Sequence, residues 1–310
     1  MLLQTGRSYR TLSFVLFCLA VTALAQTPNK FPYGEKDMQF NAKPVERDID
    51  RKCVPEGTGS DEGQRAQNRS KNRFDAQGTP IPILISDFDS LEKATVRARN
   101  CWAKHLANCK MIELNKVSGL PANRDQLKDI AKTASGQTIG EGTLVVFEAQ
   151  VLDSHYSNTK YNIYFNNHAP SPGDGESVNC KKLPGFDSSA IDSNDIHIVL
   201  VAPGVTDDCM SVTAEISPHF RPASWRRFHD MGVNQLGQDV NSEAKGVDFK
   251  KLQLVRITGP LFYDASHEPC SPGKRSSPAR RSLWEIHPAY KLEVKSKGQW
   301  MSFDDWAKTQ

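Results

Sequence analysis

The sequence predicts a mainly β chain with a small α-helical N-terminal region, its main body a five-stranded OB-like Greek-key barrel with long inserted loops. Three observations predict this. From Gly140 onward, five segments alternate apolar and polar residues with period two, the pattern of half-buried strands. The connections between them are long and polar, which suits insertions on a small barrel. Before Gly140 the apolar residues that recur do so at helical spacing instead.

Taken in order, the chain of 310 residues begins with Arg7 and Arg10, then an apolar run from Leu12 to Leu24 ending in Ala23-Leu24-Ala25. A basic region, an apolar core and a small-x-small site predict a signal peptide over 1–25. The run is too short for the roughly 20 residues that span a bilayer, so no stable membrane span is expected after cleavage. The net charge is +3, and loss of Arg7 and Arg10 brings the mature chain close to neutral. That excludes a protein that coats nucleic acid by bulk charge. Six cysteines remain after cleavage: Cys53, Cys101, Cys109, Cys180, Cys209 and Cys270. An even number in an exported chain predicts disulfides, and we expect Cys180 and Cys209 to tie two neighbouring strands. No Cys-x-x-Cys pair is present, which argues against thioredoxin chemistry and a cysteine zinc knuckle.

Residues 26–52 are polar and proline-punctuated and read as an extended tether. Residues 53–138 read as the small helical region. Within it, 64–73 is helix-compatible but almost without an apolar stripe, and should lie on the surface. Residues 79–86 suggest an extended segment. Asp89 or Ser90 then caps a helix carrying Leu91, Ala94, Ala98 and Trp102, and Asn123 caps a weaker one to about Lys132. The barrel, 139–295, takes its strands from 143–152, 195–201, 211–216, 252–264 and 283–294. Of its long connections, 153–194 contains His168. The other, 217–250, places Phe220 and Trp225 among Arg221, Arg226 and Arg227, as a binding lip or a plug for one barrel end. Residues 296–310, with Ser302 before Trp306, read as a capped helix docked by its aromatics.

Four motifs stand in order: Asp195-Ile-His-Ile-Val-Leu, Ala214-Glu-Ile, Val255-Arg-Ile-Thr-Gly leading to Asp264 and His267, and Leu283-Trp-Glu-Ile-His-Pro288. As a set they resemble a group of uncharacterised exported bacterial proteins with an OB-like β-barrel. The resemblance covers 140–295 and extends more weakly to Asn68-Arg-Ser-Lys-Asn-Arg73. It implies a fold and a compartment, and no mechanism.

Strand alternation assigns faces. With Ile196, Ile198 and Leu200 inward, Asp195 and His197 point the other way. Ala214 inward puts Glu215 outward, Val255 and Ile257 inward put Arg256 outward, and Ile286 inward puts Glu285 and His287 outward. Asp264 and His267 follow at a strand end. These eight residues are the candidate ligand-binding set, and His197, Glu215, His267 and His287 the catalytic candidates. Three readings compete. A structural network would pair Glu215 with Arg256 and Asp264 with His267. A metal site would use His197, His267 and His287 with Asp195, Glu215 or Glu285. A hydrolytic site would use a histidine and a carboxylate as base and acid. Lys274, Arg275, Arg280 and Arg281 cluster on a Pro/Gly/Ser-rich loop, either a solvated hairpin tip or a dock for phosphate or acidic polysaccharide.

No Gly-x-Ser-x-Gly elbow, phosphate-cradling glycine loop or calcium loop occurs. The reading favoured at this level is therefore a non-enzymatic OB-like binding or scaffold module, periplasmic or extracellular. Its partner would be an anionic polymer or an envelope component. No cofactor is expected. The alternative is a secreted His/carboxylate or metal-dependent hydrolase, with a nuclease-like phosphodiesterase first, and a divalent metal belongs to that alternative.

Overall fold

The computed structural model describes residues 31, 33, 47–106, 109–156, 176–181, 183–184, 193–222, 225 and 253–309. The expected signal peptide, most of the tether, His168, Arg226 and Arg227 lie outside the described residues.

Five strands close the barrel: β4 (Leu144–Tyr156), β5 (Ile196–Val201), β6 (Val212–Ile216), β7 (Leu254–Tyr263) and β8 (Trp284–Ile286). Going round, β4 pairs with β5, β5 with β6, β6 with β8, β8 with β7, and β7 returns to β4. Only the β6–β8 pairing is parallel. This is a mainly β, OB-like barrel, and closure removes the open edges of a flat sheet. Outside the ring, β1 (Ile81–Ile83) runs parallel to β4, β9 (Lys291–Ser296) pairs with β7, and β10 (Gln299–Ser302) with β9. A small hairpin joins β2 (Ala131–Lys132) and β3 (Thr138–Ile139). The single run expected over 283–294 is thus two strands. Pro288 has no N–H to give a ladder, so pairing stops and resumes at Lys291.

The residues assigned inward by alternation form one core: Ile196, Ile198, Leu200, Ala214, Val255, Ile257 and Ile286 all belong to it. Helix α3 (Ile85–Ala103) adds Phe88, Leu91 and Ala98 to the same core, and Trp284 Nε1 donates to Thr95 Oγ1 at 2.9 Å. It starts one turn before the expected cap. Asp87 accepts the Leu84 N–H at 2.8 Å, which secures the earlier start. The helix expected from Asn123 shrinks to one 3-10 turn, Arg124–Leu127, before the hairpin takes over. Trp225 is fully buried in the core and Phe220 packs on Phe74 at 5.3 Å, so both plug rather than line a lip. At the C-terminus, α4 (Phe303–Ala307) is capped by Ser302, whose hydroxyl accepts from Asp305 N, and it buries Phe303 and Trp306.

The disulfides are Cys53–Cys180, Cys101–Cys109 and Cys209–Cys270. The expected Cys180–Cys209 pairing is wrong. Cys180 ends a turn bound to the N-terminal region, where Thr58 N donates to Ser177 O at 2.8 Å. Cys209 instead neighbours the 270–281 loop through an Asp208–Arg275 ion pair. Three disulfides fit an oxidising, non-cytoplasmic environment. Among the described residues no helix is long and apolar enough to cross a membrane.

One backbone approach has a measurable consequence. A Cβ on Gly259 of β7 would stand 2.5 Å from the Pro288 carbonyl oxygen and 2.7 Å from Ile286 Cγ2. Gly259→Ala should therefore cost about 1–3 kcal/mol as an overpacked site. An unchanged urea midpoint would mean that the 286–288 segment yields without cost.

Candidate functional site

The polar faces of β5, β6 and β8 carry the candidate residues. His197 lies directly opposite Glu215 in the β5–β6 ladder, and Glu285 is in register with Thr213. These side chains face away from the core, yet Asp195, Glu215, Glu285 and His287 are at most 1% exposed. They are covered by α2 (Glu62–Lys71) and by the turn at Ser177–Asn179.

Helix α2 departs from its expected surface position, and the reason is chemical. It has no apolar stripe to bury, but the barrel face beneath it is polar. It therefore buries a polar stripe, Gln67, Asn68 and Lys71, of which Gln67 and Lys71 are one turn apart. Asn68 and Asn72 anchor the helix by donating to the carbonyls of Glu56 and Pro55 at 2.7 and 3.0 Å. The Cys53–Cys180 disulfide ties the 53–56 stretch, on which the helix is anchored, to the turn at Ser177–Asn179.

Glu215 is the centre of the first cluster. Its Oε2 accepts from Lys71 Nζ at 3.2 Å and lies 2.9 Å from His287 Nε2, and its Oε1 lies 3.3 Å from His197 Nε2. Asp195 stands 3.7 Å from His287, and Glu176 stands 3.8 Å from Lys71. Glu176, 20% exposed at its side chain, and His197, 10% exposed, are the rim of the cluster.

The charges are mutually dependent. Burial alone would lower the Lys71 ammonium, but Glu176, Glu215, Asp264 and Asp195 outweigh it and hold Lys71 well above its usual range. Burial would raise Glu215, yet His197, Lys71 and His287 keep it well below the usual carboxylate range. His287 is lowered by burial but raised more by Glu215 and Asp195, to about 9. Glu176 is pushed well above the usual range by burial, against the pull of Lys71. Asp195 is held low despite burial, by hydrogen bonds from His287 and Glu176. The two neighbouring carboxyls, Glu176 and Asp195, are thus shifted in opposite directions.

The second cluster adjoins the first. Asp264 pairs with His267 and stands 3.5 Å from Arg280, and Arg280 pairs with Glu285. Gln67 Nε2 donates to Ser266 Oγ at 2.5 Å, and Gln67 Oε1 accepts from Ala265 N at 3.2 Å. Arg124 grips Glu141, donating to its Oε2 at 2.5 Å, and donates to the Tyr263 carbonyl at 2.6 Å.

Asp195, His197, Glu215 and His287 therefore come together, while Asp264, His267, Glu285 and Arg280 form the adjoining set. Among the described residues, the His/carboxylate groupings able to hold a metal are Glu176–His197–Glu215 and Asp195–Glu215–His287. His267 joins neither, so the three imidazoles do not share one site. Arg256 does not meet Glu215. It pairs with Glu293 at 2.8 Å and stacks over Trp300 at 4.6 Å. The basic loop is mostly committed internally. Lys274 pairs with Glu268, Arg275 with Asp208, Arg281 with Asp89, and Arg280 is buried. A concavity of about 740 Å³ along α3, lined by Val96, Arg97 and Leu106, lies away from both clusters.

Lys71, Glu176, Gln67, Arg124 and Glu141 were not anticipated as site residues. Lys71 falls in the Asn68–Arg73 motif, which was the available signal. Glu176 lies inside the long 153–194 connection and has no pattern to mark it. No family model, no curated protein and no solved structure matches the chain.

Proposed function

We propose that the chain is an exported hydrolase working through His/carboxylate chemistry at the Glu176–His197 rim, with phosphodiesters as the first substrate class. One observation carries this reading. Two imidazoles, a lysine and three carboxylates from five separate segments converge around Glu215, and the buried acceptor at their centre, Glu215 Oε1, has no well-formed hydrogen bond among the described residues. A purely structural network satisfies its members, because unmet buried polar groups cost stability. A cluster with unmet acceptors is the kind retained for chemistry. Lys71 adds a cation next to the acid–base groups, as a phosphoryl anion requires. The apolar run before Ala25 and the three disulfides support export by a signal peptide, to the periplasm or outside the cell.

The test is turnover of bis-(p-nitrophenyl) phosphate and of single-stranded oligonucleotides by oxidised protein spanning 26–310. His197→Ala should lower kcat by about 100-fold or more, the scale of a general acid–base group. Lys274→Ala, on the exposed loop, should not. Activity that survives His197→Ala would sink the reading.

A second reading keeps its place through a specific observation. Asp195, Glu215 and His287 are at most 1% exposed, as suits a clamp that locks α2 onto a non-enzymatic binding or scaffold barrel. In that case an anionic polymer or envelope component would bind without turnover.

A further inference from the structure

We propose that Glu176, His197 and Glu215 hold a single divalent cation at the rim of the polar face. The assignment rests on the reading of this cluster as a functional site and names the ion that it would use.

The geometry comes first. One nitrogen of His197 and one oxygen from each carboxylate lie within 4.8 Å of one another. Ligand atoms around an ion bound at about 2.0–2.2 Å stand roughly 3–4 Å apart, so small adjustments close the set. Glu215 Oε1 and His197 Nε2 are already 3.3 Å apart. The carboxylate that would bridge to the ion is fully buried, and among the described residues its Oε1 takes no well-formed hydrogen bond, His197 being its 3.3 Å neighbour. Its other oxygen is fixed by Lys71 and approached by His287, so Lys71 and His287 are positioning residues that aim Oε1 at the ion.

The alternative triad, Asp195–Glu215–His287, is wholly buried and shares the oxygen side of Glu215 that Lys71 occupies. The Glu176 triad has a partly exposed member, which leaves the ion an entry path and a coordination position for water. One imidazole and two carboxylates suit zinc or manganese.

Metal alone is the probe. Oxidised protein spanning 26–310, purified without chelator, should carry close to one equivalent of zinc or manganese by elemental analysis. After stripping, Mn²⁺ should rebind with a one-site isotherm and show nitrogen hyperfine coupling in its electron paramagnetic resonance spectrum. Glu176→Gln, which keeps the size of a partly exposed side chain and whose folding is checked by its urea midpoint, should weaken Kd at least tenfold. His197→Ala should abolish the nitrogen coupling, and His105→Ala, at an exposed histidine outside both clusters, should change neither. No stoichiometric binding, or binding indifferent to Glu176→Gln, overturns the assignment. So does binding lost in Asp195→Asn but kept in Glu176→Gln, because the ion would then occupy the deeper triad. Turnover by metal-free protein would sink the ion and spare the hydrolase. Stoichiometric metal without turnover of any phosphodiester would do the reverse.

Discussion

Glu215→Ala should lower the unfolding free energy by about 3–5 kcal/mol, read from urea unfolding at pH 7 with chelator present. That is the cost of breaking a buried charge cluster by deleting one partner. Glu215 is fully buried and touches Lys71, His197 and His287 at 3.2, 3.3 and 2.9 Å. Without it, the ion pair left to Lys71 among the described residues is the 3.8 Å one with Glu176, while the lysine stays buried. The matched control is Glu268→Ala. It breaks a pair with Lys274 in which both side chains are largely exposed, and should leave the midpoint unchanged. Adding Lys71→Met to Glu215→Ala should cost less than the two single changes summed, since removing both charges restores balance. Strict additivity, or a Glu215→Ala loss below about 1 kcal/mol, would show that Lys71, His197 and His287 do not depend on this carboxylate.

The parts of the molecule legible in the sequence are those governed by local periodicity. The alternation in β5, β6 and β7 put Ile198, Ala214 and Ile257 in the core and left His197, Glu215 and Arg256 on the other face. Periodicity cannot say what covers that other face. Helix α2 looked like a surface helix because apolar stripes are the usual sign of burial, whereas here a polar stripe meets a polar wall. The partners of Glu215 were misjudged for the same reason. Arg256 is on the correct face but lies where β7 meets β9, so Glu293, directly opposite, takes it. Disulfide pairing was equally unreadable, because Cys180 and Cys209 are placed by long connections and not by strand register. Glu176 lacked any local sign, being brought to Lys71 and Asp195 by the fold alone.

Asp264→Asn should also cost about 3–5 kcal/mol at pH 7, and that cost should shrink as the pH falls below about 4. Asp264 is 1% exposed, bonded to His267 and close to Arg280. Burial raises its carboxyl, but the His267 hydrogen bond and the charges of Lys71, His267 and Arg280 win, holding it far below the usual aspartate range. A carboxylate depressed in the folded state contributes stability in full above its unfolded pKa of about 3.9, and the contribution is lost as pH falls toward the folded value. Asparagine has no such proton to take up, so the variant is destabilised at neutral pH but does not share this part of the acid loss. Glu285 works in the opposite direction. Burial and Glu215 push its carboxyl well above the usual range against the pull of Arg280, so acid favours it. The wild-type curve mixes the two signs. The gap between wild type and Asp264→Asn, followed from pH 7 to pH 3, isolates the first. A gap of constant size across that range would mean that the Asp264 charge is not what joins His267 and Arg280 to the barrel.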